Sequence, residues 1–396
     1  MKTMMVRLMF VTFLIAFLAG TPVASPAAQP LPERMLAGIV LDFVDETPHP
    51  ATHGWTQTYT FPGAAFLRLH LRGFHLQEGD RLLVSNLDGS QVWEYTQQGL
   101  NRNGDFWTFA VNGDTVNLLL EASSGRSYGF HLVEVGYGTI ELETSLPVPE
   151  TVFDTDGRED IACHLDDPVI AASQKPVARL LFTDNKNQYL CTGELVRGAY
   201  ANTLITNEHC IDSQEVTSTL EARFNYQYTT CGGTKLSKTT SFAGDTWLKS
   251  NSINYKKGRP STGLDYTLLT LQGNPENRFK ALTPTSASYD IGETINFIQH
   301  PGGVPKKIGY WEDADQLVRC KIDTIDQTYA NTYPNSQIGY GCDSSGGSSG
   351  SAITRASDGK MIGLHHYGSV TPELNSATMM YLICQDAGEL LSCASE

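Results

Sequence analysis

Residues 346–351 read Gly-Gly-Ser-Ser-Gly-Ser and run into Ala352-Ile353, a glycine-rich turn followed by an apolar strand start, with Ser349 at its tip. Only a backbone without Cβ atoms readily turns its N–H groups inward, so such a turn can cradle an anion while it presents a hydroxyl. A serine hydroxyl is a weak nucleophile until an imidazole takes its proton, and the imidazole needs a carboxylate to fix its tautomer. Two segments upstream supply those groups. Leu204-Ile-Thr-Asn-Glu-His-Cys210 places His209 just past a strand, and Gly263-Leu-Asp-Tyr-Thr-Leu-Leu-Thr270 opens an apolar strand with Asp265. Asp265 lies 56 residues after His209, and Ser349 lies 84 after Asp265. A lone histidine is more often a surface or core residue, and a Gly/Ser run is more often a flexible loop. Their conjunction, with Cys210 beside His209 and Cys191 one strand earlier, points to a catalytic triad of His209, Asp265 and Ser349. The oxyanion hole falls to the backbone N–H groups of Gly347 and Ser349. This chemistry needs no cofactor. The competing zinc chemistry lacks an HExxH pair, and His365-His366 are adjacent, a spacing that suits few metal sites.

Residues 163–396 resemble the chymotrypsin-fold (trypsin-like) serine endopeptidases, most closely the bacterial lysyl- and glutamyl-endopeptidase branches and related secreted microbial enzymes. The matching segments are CTGELV (191–196), ITNEHC (205–210), LDYTLLTL (264–271), QHPGG (299–303), GGSSGSAI (346–353) and GLHHYG (363–368). The resemblance implies two six-stranded β-barrels with the triad between them and peptide hydrolysis through an acyl-enzyme. It also implies a Cys191–Cys210 bridge beside His209 and, from the lysyl branch, a Cys163–Cys231 bridge. Cys320, Cys342, Cys384 and Cys393 then allow three pairings, of which the sequence-adjacent one is preferred, and the bridge of Cys342 should shape the substrate pocket.

Asp343-Ser344 aligns with the base of the trypsin pocket, where a buried carboxylate selects Arg or Lys by a charge-assisted hydrogen bond. His365 falls where some glutamyl endopeptidases keep a pocket histidine, with Ser344 able to assist it. Specificity for basic residues and specificity for Glu both stay open, with a slight lean to basic. Ser348 stands where animal trypsins carry the acid that binds a freed N-terminus, so activity is not expected to need that salt bridge.

The rest of the chain has a different character. Of 396 residues, 18% are charged, and the formal net charge is −15, which disfavours a nucleic-acid partner. All eight cysteines lie beyond residue 162. Lys2 and Arg7 precede the apolar run Leu8–Ala19 and then small residues, the layout of a secretory signal peptide over 1–28. Export to an extracellular or periplasmic space makes the cysteines disulfides and leaves no membrane partner after cleavage. Between residues 36 and 138, alternation such as Leu67, Leu69 and Leu71 against Arg68, His70 and Arg72, with Gly/Asp/Asn turns, predicts short strands in a jelly-roll-like β-sandwich. Trp55, Trp93, Trp107 and Tyr95 could make a ligand platform there, though strand aromatics are more often core. Residues 141–160, with seven acids and one base, read as a solvated linker that could be cut after Arg158. The expectation is an all-β chain: signal peptide 1–28, a sandwich accessory or pro-domain 29–140, linker 141–160 and a protease domain 161–396. It acts as a monomer on protein or peptide substrates. The competing class is a non-catalytic binding protein on a protease fold.

Overall fold

A computed structural model describes residues 34–47, 51, 54–139, 152, 155–258, 262–329, 332–370 and 373–395. The expected signal peptide and most of the expected linker lie outside these residues. The N-terminal half contains β1 (Met35–Glu46), β2 (Trp55–Thr60), β3 (Phe66–His75), β4 (Arg81–Asn86), β5 (Val92–Thr96), β6 (Phe106–Trp107), β7 (Val111–Asn112), β8 (Thr115–Glu121) and β9 (Gly129–Gly138). One sheet runs β1-β9-β3 with β6 and β7 both on β3, and the other runs β2-β8-β4-β5. Counting β6 and β7 as one interrupted strand gives the order 1-8-3-6 and 2-7-4-5, the jelly-roll arrangement. The interruption has a local cause. The N–H of Phe109 donates to the Tyr95 hydroxyl (2.7 Å) and that of Ala110 to the Glu221 carboxylate (2.8 Å), so these residues leave the ladder.

Alternation sends Leu67, Leu69 and Leu71 into the core with Leu82, Val84, Leu118 and Leu120 from the facing sheet. Tyr95 and Trp107 are buried, and Trp55 and Trp93 pack half-buried on the core and its border. The tryptophan N–H of Trp93 is spent on the Ala110 carbonyl at 3.1 Å. Tyr95, Trp55 and Trp93 pack on the sandwich core, Trp107 stacks on His70 beneath Arg68 on the other face of its sheet, and the four do not form an exposed platform.

The second half begins with β10 (Asp156–Asp160), continues through β11 (Val177–Asp184), β12 (Asn187–Leu195), β13 (Thr203–Thr206), β14 (Glu221–Phe224), β15 (Thr240–Asn251) and β16 (Tyr266–Leu271), then β17 (Ile295–Gln299), β18 (Lys307–Asp313), β19 (Thr324–Gln327), β20 (Gln337–Tyr340), β21 (Ala352–Arg355), β22 (Met361–Val370) and β23 (Glu373–Met379). Strands β11-β14-β15-β16-β13-β12 pair in that order, and β12 returns to β11, closing a six-stranded barrel around Leu180, Phe182, Leu204, Phe224 and Leu269. The later strands form a second sheet, β10-β18-β17-β21-β22-β23-β20-β19, around Phe297, Ile338, Tyr340 and Ile353. The architecture is a jelly-roll sandwich followed by a chymotrypsin-like double barrel. Four disulfides, Cys163–Cys231, Cys191–Cys210, Cys320–Cys342 and Cys384–Cys393, all lie in this half.

The linker expectation needs correction at its end. Residues 156–160 are not a solvated tether but a strand paired with β18, and the Arg158 side chain is only 2% exposed. Its guanidinium binds Asp156 and the Ser345 hydroxyl, so the peptide bond after it is not presented for cutting. Acid-rich composition misled here because these charges are paired: Asp160 meets Lys307 and Glu159 meets His164.

The two halves are joined. The first residues of β1 leave β9 and pair antiparallel with β12, Met35 opposite Leu190 and Leu36 opposite Tyr189. Ala37, Phe66 and Ala110 of the sandwich bury themselves against Leu181 and Leu190 of the barrel. Beside them, Arg68 donates to the Thr219 carbonyl (2.7 Å) and Arg223 to that of Ala110 (2.8 Å). The polar face of β3 is thus covered at Arg68, which is 1% exposed. Burial alone would raise the Glu221 carboxyl, but the charges of Arg223, Arg179 and Arg68 outweigh it and hold Glu221 below its ordinary range.

Candidate active site

The loop after β13 is pinned at both ends. Cys210 is bonded to Cys191 in β12, and the Asn207 amide donates to the Asp265 carbonyl (2.8 Å). Asp265 sits just before β16 with φ +48, a left-handed conformation that Asp tolerates better than most residues. That bend lets one carboxylate meet the histidine twice. Oδ1 accepts the His209 backbone N–H at 3.0 Å, and Oδ2 lies 2.7 Å from Nδ1 of its ring. With Nδ1 as the donor, Nε2 is left as the basic nitrogen. Asp265 is fully buried. Burial alone would raise its carboxyl, yet the charge and hydrogen bonds of His209 and His366 hold it well below the usual range.

His366 has a place here that the sequence reading did not give it. Its Nδ1 lies 3.3 Å from Asp265 Oδ2, and its Nε2 lies 2.7 Å from the Gln337 side-chain oxygen. The signal was available: adjacent residues of one strand face opposite ways. His365 and His366 in β22 do diverge, His365 to the Tyr340 hydroxyl and His366 to Asp265, with a shift of ladder register between His365 and Tyr367.

The 346–351 turn is built by its glycines and its neighbours. Gly347 and Gly350 both have φ +90, and a Cβ on Gly350 would lie 2.1 Å from the Thr192 carbonyl oxygen. Ser348 is buried and gives its hydroxyl to Gln299 (2.5 Å), so the place of an internal acid is taken by a neutral pair. Thr192 in β12 then holds the turn from the other barrel. Its N–H donates to the Ser349 carbonyl (2.9 Å) and its hydroxyl to the Gly347 carbonyl (2.8 Å). Among the described residues, no backbone carbonyl takes the N–H of Gly347 or Ser349. Thr192 neighbours Cys191, whose disulfide partner neighbours His209. The fold thus joins His209 and Asp265 directly, and Ser349, half-buried, is tied through Thr192 to the strand that carries the Cys191 end of the bridge beside His209. No hydrogen bond from the Ser349 hydroxyl to His209 occurs among the described contacts, and such bonds are often long until substrate binds.

The residues expected to line the substrate pocket, Asp343, Ser344 and His365, are all buried. One oxygen of Asp343 accepts the Gly157 N–H (2.7 Å), so β10 packs against that carboxylate. The Ser344 hydroxyl binds Asn375 (2.7 Å), whose amide reaches the Cys342 carbonyl (2.5 Å). Asn375 comes from β23, with no local motif to mark it. His365 Nδ1 meets the Tyr340 hydroxyl at 2.6 Å. Burial, then the charges of His366 and His209, push His365 well below its ordinary range and toward the neutral ring.

The chain is 27% identical over 334 residues to "Secreted RxLR effector protein 73" of Plasmopara viticola, covering 82% of this chain and 79% of that one. That span is longer than the protease half alone. Among solved structures, the HtrA-type protease AlgW with a tripeptide is similar at 16% identity and a TM-score of 0.39, over 56% of this chain. The chain spans 62% of that protein, less than two thirds of its length. A thermostable serine protease, AL20, from an extremophilic microorganism is similar at 15% identity and a TM-score of 0.39, over 54% of this chain and 96% of that one. The family described as "Lysyl endopeptidase, C-terminal domain" matches residues 155–379, more than half of the chain, and the protein belongs to that family of chymotrypsin-fold serine proteases.

Proposed function

We propose that this protein is a secreted serine endopeptidase that cleaves peptide bonds with Ser349, His209 and Asp265. The observation that carries the reading is the double contact of Asp265 with His209, through ring and backbone, beside a glycine turn that presents a serine. In this reading His209 Nε2 takes the Ser349 hydroxyl proton as Oγ attacks the scissile carbonyl. The N–H groups of Gly347 and Ser349 receive the oxyanion, and the imidazolium, steadied by Asp265, returns the proton to the leaving amine. Water, deprotonated by the same ring, then releases the acyl group. Four disulfides and a relative named as a secreted effector support export.

For the residue before the cleaved bond, the reading is basic. Asp343 supplies a carboxyl group at the pocket base, the matched family is named for lysyl cleavage, and a His365 driven to neutrality by burial is a poor partner for a glutamate. Arylamides ending in Lys, Arg and Glu test this: turnover of the first two supports it, and strict Glu preference refutes it. Binding without turnover is the second reading, favoured by the effector name of a relative that is 27% identical over 82% of this chain. It predicts peptide binding with no acylation of Ser349 by a serine-directed phosphonate.

A further inference from the structure

Strand β12 runs straight to the nucleophile, since Thr192 holds the Ser349 and Gly347 carbonyls. One step upstream its outer edge, at Leu190 and Tyr189, is already occupied by Met35 and Leu36 of the sandwich. Met35 Sδ lies 3.3 Å from where a Cβ on Gly347 would stand. Arg34, with a side chain only 16% exposed, donates from Nε to the His209 carbonyl (2.6 Å) and pairs with Asp184 and, at 3.4 Å, Asp212. Two residues of the N-terminal domain therefore rest on the backbone of the candidate base and on the candidate oxyanion turn.

A bound peptide must divide at Ser349. Its acyl half lies toward Asp343, Ser344 and His365, on the β22 side. The leaving amine and whatever follows it must exit on the other side, along β12, by the strand addition that an open sheet edge invites. That edge is where β1 sits. We propose that Arg34 and Met35 occupy the leaving-group side of the cleft and set specificity there. The enzyme then cleaves substrates carrying a small amine or one residue beyond the scissile bond and excludes longer ones. Arg34 also covers Asp184 and Asp212, the acids that would otherwise attract a basic residue at that position.

This inference rests on the peptidase reading, and a series of substrates separates the two. One acyl sequence is offered to the full-length protein as an arylamide and as peptides extended by one, two and four residues beyond the cleaved bond. The arylamide, with no chain past that bond, reports the peptidase reading by itself. The expected result is a fall in kcat/KM of at least about tenfold between the one- and four-residue extensions, about 1.4 kcal/mol. In the Arg34→Ala/Met35→Gly variant that fall should shrink to within roughly threefold, with a new preference for Lys or Arg just after the cleaved bond. Arylamide turnover with equal kcat/KM for every length in the wild type overturns the inference and leaves the peptidase reading intact. Loss of arylamide turnover in a folded wild type overturns both. The wild-type series decides the matter even where the variant does not fold.

Discussion

Asp265 has two imidazoles on one carboxylate, and its charge is what both require. Replacing it as Asp265→Asn keeps the shape but reverses a donor, so kcat should fall on the order of 10⁴-fold with little change in KM. The same substitution has a pH signature. A carboxyl held below its ordinary value of 3.8 in the fold stabilises the protein above that value, and the contribution is lost as pH falls through the folded value. Denaturant titrations should therefore show wild type ahead of Asp265→Asn by about 2 kcal/mol at neutral pH, with the gap closing below pH about 4. A gap that widens in acid would mean the carboxylate is not the stabilised form. At this scale the strand and turn contexts marked His209, Asp265 and Ser349 as candidates, and the structure brings the first two into contact. It did not disclose Asn375, Gln299 or Tyr340, because a buried hydrogen-bond partner is specified by the packing of distant strands and leaves no local pattern.

The 346–351 turn is the element on which the site depends, and its glycines are steric requirements. At Gly350 a methyl group would enter the Thr192 carbonyl and would force an L-residue to φ +90. Gly350→Ala should cost at least about 2 kcal/mol and lower kcat/KM, measured by thermal melting and arylamide turnover. Retention of both would show that the turn does not need its present form. Strands announced themselves through alternation, as in β3 and β8, or through a short apolar run, as in β11, which is buried on both faces. They were hidden where both faces are polar. In β10 the side chains are Asp, Arg and Glu, and the strand is recognisable only from its partners: β18, the Asp343 carboxylate and Ser345. Likewise the apolar run 106–111 breaks into β6 and β7 because Tyr95 and Glu221 draw its backbone out of the sheet.

Over the whole molecule, the skew of the cysteines matches the placement of all four disulfides in the second half but suggested more independence than the two halves have. The sandwich does not close on its hydrophobic core alone. It presents Ala37, Phe66, Ala110 and Arg68 to the barrel, and the barrel answers with Leu181, Leu190, Arg223 and the fully buried Glu221. Sequence reasoning places arginines and glutamates on surfaces, so an interface made partly from them is not visible in advance. Glu221→Gln, which leaves the neighbouring arginines buried without their counter-charge, should destabilise by roughly 3 kcal/mol or more, read from denaturant midpoints. For the same reason the full chain should melt in a single calorimetric transition, and deletion of residues 34–139 should leave a protease half that does not fold. Two resolved transitions would show that the halves are separate. In the proposed function the whole molecule is a scaffold for one nucleophile, and the most direct measurement is arylamide and peptide turnover by wild type and Ser349→Ala, both verified as folded. The account predicts hydrolysis by wild type and a loss on the order of 10⁶-fold in the variant; equal turnover by the two would contradict it.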